Sequence, residues 1–227
     1  MQSGISRHIA AEALGTFFLL ATVIGSGIMG ERLAGGNEAL ALLGNTLPTG
    51  AILVVLILIF GPVSGAHFNP AVTLVSAGRG EISRQTAAAY IAVQIVAAVI
   101  GVWAAHAMFD LPLLQISEKI RSGPAQWFAE FVATFGLLLT ILGCVARAPT
   151  AVPYAVGLYI TAASWFTAST SFANPAVTMA RALSNTFAGI APAGVAGFIA
   201  AQLIGAFAAA ILGRWLWIDR RAKPRRA

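Results

Sequence analysis

Charged residues and cysteines are scarce in this chain. Only 10% of its 227 residues are charged, whereas 58% are hydrophobic. A soluble domain of this size would carry about 25% charged residues, so the composition excludes an ordinary water-soluble globular protein. Cys144 is the only cysteine. No disulfide can therefore form within the chain, and the apolar run around Cys144 indicates a small buried hydrophobe.

Residues that could carry catalysis or bind a metal are also missing from the sequence. No group of His, Cys, Asp or Glu has metal-ligand spacing, and no motif pairs a nucleophile with a base. We therefore predict no catalytic residue, no metal and no cofactor. The net charge of +6 comes mostly from the basic segment 218–227. No folded basic face accompanies it, so we predict a cytoplasmic tail beside a membrane and no nucleic-acid partner.

Apolar runs fill the rest of the chain and predict an all-α membrane protein. Two shorter helical segments, at about 70–78 and 175–184, could cross only half of a bilayer at 1.5 Å per residue. We expect them to be re-entrant half-helices, surrounded by protein or by a watery cavity. The six runs long enough to span a membrane are 9–29, 39–61, 84–108, 125–146, 152–168 and 193–217.

Each short segment begins with the same tripeptide, Asn69-Pro70-Ala71 and Asn174-Pro175-Ala176. Asn is a favoured N-cap and Pro is favoured at the first helical position, so each triplet predicts a helix start. A helix that starts inside a membrane directs unpaired N–H groups and a positive dipole end at whatever it faces. The chain is thus built around two such ends.

The two halves of the sequence, about 7–110 and 122–217, match beyond the triplets. Three spans separate equivalent points, and three is odd, so the halves must be inverted relative to each other in the membrane. Six spans place both termini on one side, and the positive-inside rule makes that side cytoplasmic. The Ala-rich sequence and basic tail suit a bacterial inner membrane. The cations on the cytoplasmic side include Arg7, Arg79, Arg84 and Arg147, against Arg32, Lys119 and Arg121 on the other.

These motifs resemble the aquaporin and aquaglyceroporin family, the major intrinsic proteins. The resemblance rests on both triplets, on the 64–68 lead-in to the first, and on paired Ala-Glu-x-x-x-Thr-Phe-like segments at 11–17 and 129–135. It implies one channel domain over 1–227, with six helices and two half-helices. It also implies a homotetramer in the lipid bilayer that passively conducts water or small uncharged solutes. Asn69 and Asn174 would present their side-chain amides to a passing solute.

Three further residues are candidates for supporting the pore loops. Glu12 and Glu130 occupy equivalent positions in the two halves. Either both lie at a helix start near the interface, or both are buried and hydrogen-bonded to the re-entrant loops, which their equivalence favours. His67 is either a packing residue or, as the family places it, a pH-sensitive element of the cytoplasmic pore wall. We expect His106 at the membrane interface.

The chain departs from the family pattern at the narrow filter. Most members have Arg directly after the second triplet, whereas this chain has Val177. Counting from the triplets places Thr49, Ala162 or Ser164, and Ser171 or Phe172 at the other filter positions. Together these residues describe a wide, weakly polar gate. Arg181, one turn beyond Val177, either reaches back toward the filter from the outer vestibule or snorkels to the surface.

A second motif reading Asn-Pro-Ala-Val resembles a bacterial aquaglyceroporin subgroup associated with arsenic-resistance gene clusters. That resemblance favours glycerol-like polyols and neutral trivalent or methylated arsenicals, besides water. A strictly water-selective channel is the first alternative, and the small residues Thr49 and Val177 argue against it. An ion-coupled transporter would need ionisable residues at the midplane beyond Glu12 and Glu130, and a membrane enzyme would need a catalytic constellation.

Overall fold

The computed structural model of the protein describes residues 2–217, and within that range every regular element is helical. This confirms the predicted all-α class. The predicted tail, 218–227, lies outside the described residues. The helices are α1 Gln2–Leu33, α2 Glu38–Ser64, α3 Pro70–Gly78, α4 Arg84–Met108, α5 Pro124–Arg147, α6 Val152–Phe166, α7 Pro175–Arg181 and α8 Pro192–Trp217.

Five of these helices, α1, α2, α4, α5 and α8, are long and apolar enough to cross a membrane. The sixth predicted run, 152–168, is shorter as a helix than we expected. Helix α6 has 15 residues, which is about 22 Å of rise against a hydrocarbon core of about 30 Å. A 3₁₀ turn, Pro149–Ala151, precedes it directly. The chain leaves the helix at Thr167, whose backbone is extended, although the apolar sequence continues.

The two half-helices begin where the triplets predict. Helix α3 has nine residues and α7 has seven, each with proline in its first turn. The caps Asn69 and Asn174 have nearly identical extended backbones, with φ −155° and ψ 118° against φ −157° and ψ 115°. Each cap side chain accepts a hydrogen bond from the N–H of the alanine of its triplet. Two of the orphan donors at the helix starts are thereby satisfied.

The packing of the helices repeats between the two halves of the chain. Helix α1 packs against α2 and α4, and α5 packs correspondingly against α6 and α8. Each half-helix contacts both α4 and α8, and the two half-helices touch each other. This arrangement agrees with two three-helix halves in inverted orientation. The repeat boundaries, 7–110 and 122–217, stay predictions.

The halves are also joined by the close crossing of α2 and α6. A methyl group added at Gly157 would come within 2.5 Å of the Gly50 carbonyl oxygen and 2.6 Å of Val54 Cγ2. Glycine is therefore required for these backbones to approach so closely. Small residues have the same role wherever membrane helices pack tightly.

Candidate functional site

The starts of the two half-helices are joined by a reciprocal pair of hydrogen bonds. Asn69 Nδ2 donates to the Ala173 carbonyl, and Asn174 Nδ2 donates to the Phe68 carbonyl, both at 2.8 Å. Each cap side chain thus binds its own helix through Oδ1 and the opposite loop through Nδ2. Both asparagines are buried, at 5% exposure. The positive ends of α3 and α7 consequently lie at one level in the molecule.

The loops before the two triplets have an unusual backbone. Non-glycine residues with positive φ are uncommon and cluster at functional sites. Here they occur at equivalent positions of the two loops, which indicates that both loops are shaped by the same constraint. Ala66 and Phe68 before the first triplet correspond to Ser171 and Ala173 before the second, and Thr170, which also has positive φ, corresponds to Gly65.

The side chain of Glu12 holds the loop before the first triplet through hydrogen bonds. It is fully buried in the protein rather than interfacial. Its two carboxylate oxygens accept four hydrogen bonds, which satisfies a buried charge. The donors are Ser64 Oγ at 2.7 Å, His67 N at 2.9 Å, Phe68 N at 2.7 Å and Gln94 Nε2 at 2.9 Å.

Glu130 has the corresponding role for the loop before the second triplet, and it is also fully buried. It accepts from Phe172 N at 2.8 Å, Ala173 N at 2.9 Å and Gln202 Nε2 at 2.6 Å. The same Gln202 nitrogen lies 2.8 Å from Thr178 Oγ1. In the first half Gln94 Nε2 makes the matching contact with Thr73 Oγ1 at 3.0 Å. Thr73 and Thr178 both end the repeated Asn-Pro-Ala-Val-Thr pentapeptide. Their contact with the two glutamines was not predicted, although the repeat was a signal for it.

A cavity of about 290 Å³ runs past both triplets. Its walls are mostly apolar side chains, with the two triplet asparagines among the polar groups. Ser76 and Glu81, from the end of α3 and just beyond it, line one end. Arg181, the last residue of α7, lines the cavity at the end of the opposed half-helix. We call these regions the Glu81 end and the Arg181 end.

Most of the predicted filter residues line this cavity. Ser164 is buried there, whereas Ala162 is exposed on α6 and is not among the lining residues. Side chains two residues apart on a helix point about 200° away from each other. Only one of Ala162 and Ser164 can therefore face the cavity. Thr49 and Ser164 turn their hydroxyls to their own helices, donating to the Asn45 and Ile160 carbonyls at 2.8 and 2.9 Å. The remaining lining residues of the set are Ser171, Phe172 and Val177.

Arg181 lies inside the protein, not at its surface. Its side chain is only 5% exposed. The guanidinium carbon stacks 3.3 Å from the centroid of the Phe172 ring, and Nε donates to the Ala188 carbonyl. Stacking on an aromatic face is a geometry that the planar guanidinium favours. The structure therefore places Arg181 beside Phe172 and Val177 at one end of the cavity.

Two polar residues of this region were not found from the sequence. Arg121, from the segment between α4 and α5, lies 5.4 Å from the Phe172 ring centroid and donates to the Gly189 and Ser169 carbonyls at 3.0 and 3.2 Å. Asn45 lines the cavity and donates to the Val23 carbonyl at 2.8 Å. Asn45 stands one helical turn before Thr49, and that spacing was the available signal. Nothing local marked Arg121.

His67 lies toward the Glu81 end of the cavity. Its Nδ1 is 3.1 Å from Thr73 Oγ1, and its ring meets the ring of Tyr90 edge to face. Glu81 accepts a hydrogen bond from Ser76 Oγ at 2.8 Å and pairs with Arg79 at 2.6 Å. The carboxylate of Glu81, which lies at this end of the cavity, is therefore paired with a positive charge.

His106 is fully buried within the protein, in the last turn of α4, and its position at the membrane interface stays a prediction. Its two ring nitrogens lie 3.1 Å from the Leu113 carbonyl and 2.9 Å from Ser184 Oγ. It therefore ties α4 to the segments that follow α4 and α7. Within residues 2–217 no group of three or more His, Cys, Asp or Glu could hold a metal ion.

A helical membrane protein with two opposed half-helices and a cavity passing both of their starts has the architecture of a channel. The family model for major intrinsic proteins matches residues 1–150. The chain belongs to the major intrinsic protein family, whose members are channels and not enzymes. It is an integral membrane protein, and it conducts small neutral solutes or water.

Individual relatives agree with this membership. The chain is 57% identical over 212 residues to aquaglyceroporin AqpS of Rhizobium meliloti (strain 1021), covering 93% of this chain and 91% of the relative. It is 32% identical to aquaporin NIP2-2 of Zea mays, covering 82% of this chain and 65% of the relative. The fold is similar to the X-ray structure of the aquaglyceroporin from Plasmodium falciparum, with a TM-score of 0.72 and 19% identity over 92% of this chain and 95% of that one.

Proposed function

We propose that this chain is an aquaglyceroporin with a wide filter, passing water, glycerol-like polyols and neutral trivalent or methylated arsenicals. The single observation that carries the proposal is the set of lining residues at the Arg181 end of the cavity. Thr49, Ser164 and Val177 are all small, and all three line it. The 57% identical relative is named an aquaglyceroporin, which supports passage of solutes larger than water.

The chemistry of the cavity suits uncharged molecules with hydroxyl groups. Carbonyl oxygens of the two positive-φ loops act as acceptors beside the triplets, and the mostly apolar remainder of the wall accommodates C–H groups. The opposed positive ends of α3 and α7 raise the cost of a cation at that level. A neutral solute avoids this cost, so the same geometry that admits polyols discriminates against protons and metal cations.

The position of Arg181 supports a second candidate, the water-selective channel. Its buried guanidinium lines the cavity and could narrow the bore that Val177 leaves wide. Two features favour the wide-filter channel over the water-selective one. The guanidinium is held against Phe172 at 3.3 Å, and Nε is bonded to the Ala188 carbonyl, so the side chain is drawn to one wall.

Placement in the cell and assembly form part of the proposal. The asymmetry of Lys and Arg between the connecting segments supports cytoplasmic termini by the positive-inside rule. A bacterial inner membrane fits this topology and the bacterial source of the 57% identical relative. Exposed large apolar side chains on the helices, such as Phe18, Leu158 and Ile211, suit contact with lipid or with neighbouring subunits of a homotetramer.

The test is stopped-flow light scattering on protein in liposomes, with water, glycerol and arsenite permeability measured separately. We compare the native chain, Val177→Arg, Val177→Leu and protein-free vesicles. The native chain should pass all three solutes above the protein-free rate. Val177→Arg should reduce glycerol and arsenite at least about tenfold, a barrier increase of about 1.4 kcal/mol, and reduce water less.

Val177→Leu serves as the control that adds bulk without charge. Unchanged glycerol and arsenite flux in a normally inserted Val177→Arg protein would refute the filter assignment. Water permeation with glycerol and arsenite at the protein-free rate would instead support the water-selective candidate. In that case Arg181→Gln should admit glycerol, since the guanidinium would be the group that narrows the bore.

A further inference from the structure

The side-chain amide of Asn45 has a fixed orientation. Its Nδ2 donates to the Val23 carbonyl at 2.8 Å and to Ser26 Oγ at 3.0 Å, so that α2 is bonded to α1 at this point. A backbone carbonyl can only accept a hydrogen bond, which means that Nδ2 and not Oδ1 faces α1. Both hydrogens of the amide are therefore used within the protein.

The other polar atom of this amide, Oδ1, is available to a solute. No residue between 2 and 217 donates to it, and it is not one of the enclosed polar atoms that lack a partner in this range. Asn45 lines the cavity although it is only 8% exposed. Because Nδ2 is turned to α1, the polar atom that the cavity meets is Oδ1.

Two hydroxyls near Asn45 are also restricted to accepting hydrogen bonds. Thr49, one turn further along α2, and Ser164 each donate to a carbonyl of their own helix, at 2.8 and 2.9 Å. A hydroxyl has one donor, so both oxygens offer only lone pairs to a solute. Helices α2 and α6 meet at this level, since Trp165 Nε1 donates to Thr46 Oγ1 at 3.1 Å.

Asn45 lies at the Arg181 end of the cavity. A methyl group added at Gly27 would come within 3.3 Å of Ala188 Cβ and 3.5 Å of Asn45 Nδ2. Ala188 also accepts the hydrogen bond from Arg181 Nε. Asn45 is thus close to the residue that holds the guanidinium, a group with donors only. The Arg181 end therefore combines acceptors from α2 and α6 with donors from α7.

We propose that Asn45 is a specificity-determining residue of the channel, whose Oδ1 accepts a hydrogen bond from a hydroxyl group of the passing solute. Together with Thr49 and Ser164 it supplies three acceptors, which match the three hydroxyls of a triol such as glycerol. A solute that lacks one hydroxyl leaves one acceptor without its bond and gains less stabilisation. This inference rests on the proposed function, and it adds the group that ranks the admitted solutes by their hydroxyls.

The test is stopped-flow light scattering on the full-length chain in liposomes, with glycerol and propylene glycol as the probes. The two molecules share a carbon skeleton, and propylene glycol lacks one hydroxyl. The permeability of protein-free vesicles is subtracted for each probe, because the less polar diol crosses lipid more readily. Asn45→Leu keeps a side chain of similar size without the acceptor. It should lower the ratio of glycerol to diol permeability about fivefold, the order of one net hydrogen bond, and change water permeability less.

Ser26→Ala is the matched control, because Ser26 bonds the same amide but is not among the residues that line the cavity. It removes one contact between α1 and α2, while the Val23 carbonyl still orients the amide. The ratio should therefore stay within about twofold of the native value. A native ratio in Asn45→Leu overturns the proposal. An equal fall in Ser26→Ala also overturns it, since the contact between the helices and not the acceptor would then set the selectivity.

If Asn45→Leu fails to insert, Asn45→Ser decides instead. The serine hydroxyl lies nearer the backbone and bonds back to its own helix, so the ratio should again fall, and an unchanged ratio overturns the proposal. The two proposals fail in different ways. Native glycerol flux at the protein-free rate refutes the proposed function and this inference with it. Native glycerol flux above that rate, with a ratio that the Asn45 variants leave unchanged, overturns this inference alone.

Discussion

Replacing Glu12 by glutamine tests whether the buried carboxylates hold the pore loops. The carboxylate accepts from Ser64, His67, Phe68 and Gln94 at 2.7–2.9 Å. Each oxygen accepts from one backbone N–H and one side chain, so an amide NH₂ in either position faces a backbone donor. The bond from that backbone N–H is lost and the N–H stays unsatisfied, because a side-chain partner can turn to accept from the amide whereas a backbone N–H cannot, and the remaining bonds lose the assistance of the charge. At about 1.5–3 kcal/mol for each bond to a charged group, partly offset by removal of a buried charge, we expect a loss of about 3 kcal/mol.

The assay is thermal unfolding of the detergent-solubilised protein at one fixed scan rate, because such transitions are often irreversible. For a chain of this size about 1 kcal/mol corresponds to roughly 2–4 °C, so Tm should fall by about 6–12 °C. Glu31→Gln is the matched control, since Glu31 is exposed near the end of α1. Equal shifts in Glu12→Gln and Glu31→Gln would refute the reasoning that burial and four donors make Glu12 special.

Two other substitutions test the packing and the second loop. Gly157→Ala should lower Tm by several degrees, as a methyl group there meets the Gly50 carbonyl oxygen at 2.5 Å. Gly61→Ala on α2, where nothing lies within 4 Å, should be neutral or stabilising, and the same large loss in both would contradict a packing cause. Gln202→Leu removes a donor to Glu130 at 2.6 Å and should lower Tm by a few degrees. Gln202→Glu should lower it further through carboxylate repulsion, and a native Tm for that variant would count against the contact.

The helical architecture followed from local chemistry. Asparagine at a cap and proline in the first turn are sufficient to start a helix, and both half-helices begin at those residues. The end of helix α6 was harder to predict from the sequence, because the apolar run continues to Ala168 whereas the helix ends at Phe166. Beyond Phe166 the chain enters the loop before the second triplet, whose backbone N–H groups at Phe172 and Ala173 donate to the distant Glu130. The hydrophobicity of a sequence segment carries no information about hydrogen bonds to a residue far away in the chain.

The candidate site divides in the same way between local and long-range causes. Counting from the triplets with the spacing of the family that the chain resembles brought Thr49 and Val177 to the cavity. Counting left Ala162 and Ser164 undecided, since a two-residue change in loop length rotates the inward face by about 200°. Arg121 and His106 bind atoms of segments far along the chain, and only the folded chain brings those atoms together.

Val177 and Arg181 together separate two properties that a single arginine would combine. An arginine directly after the second triplet would add bulk and positive charge at one level of the bore. Here the residue at that level is small, and the guanidinium comes from one turn further along α7, about 6 Å in rise. Stacking on Phe172 at 3.3 Å and the bond to Ala188 hold that guanidinium to one wall. Under the proposed function, the width of the bore depends mainly on Val177, while hydrogen bonding to polar groups of the solute depends on Arg181. Because the two residues are one helical turn apart, their effects can couple, and the double variant Val177→Arg with Arg181→Gln measures how far the size limit and the hydrogen-bonding role are separate.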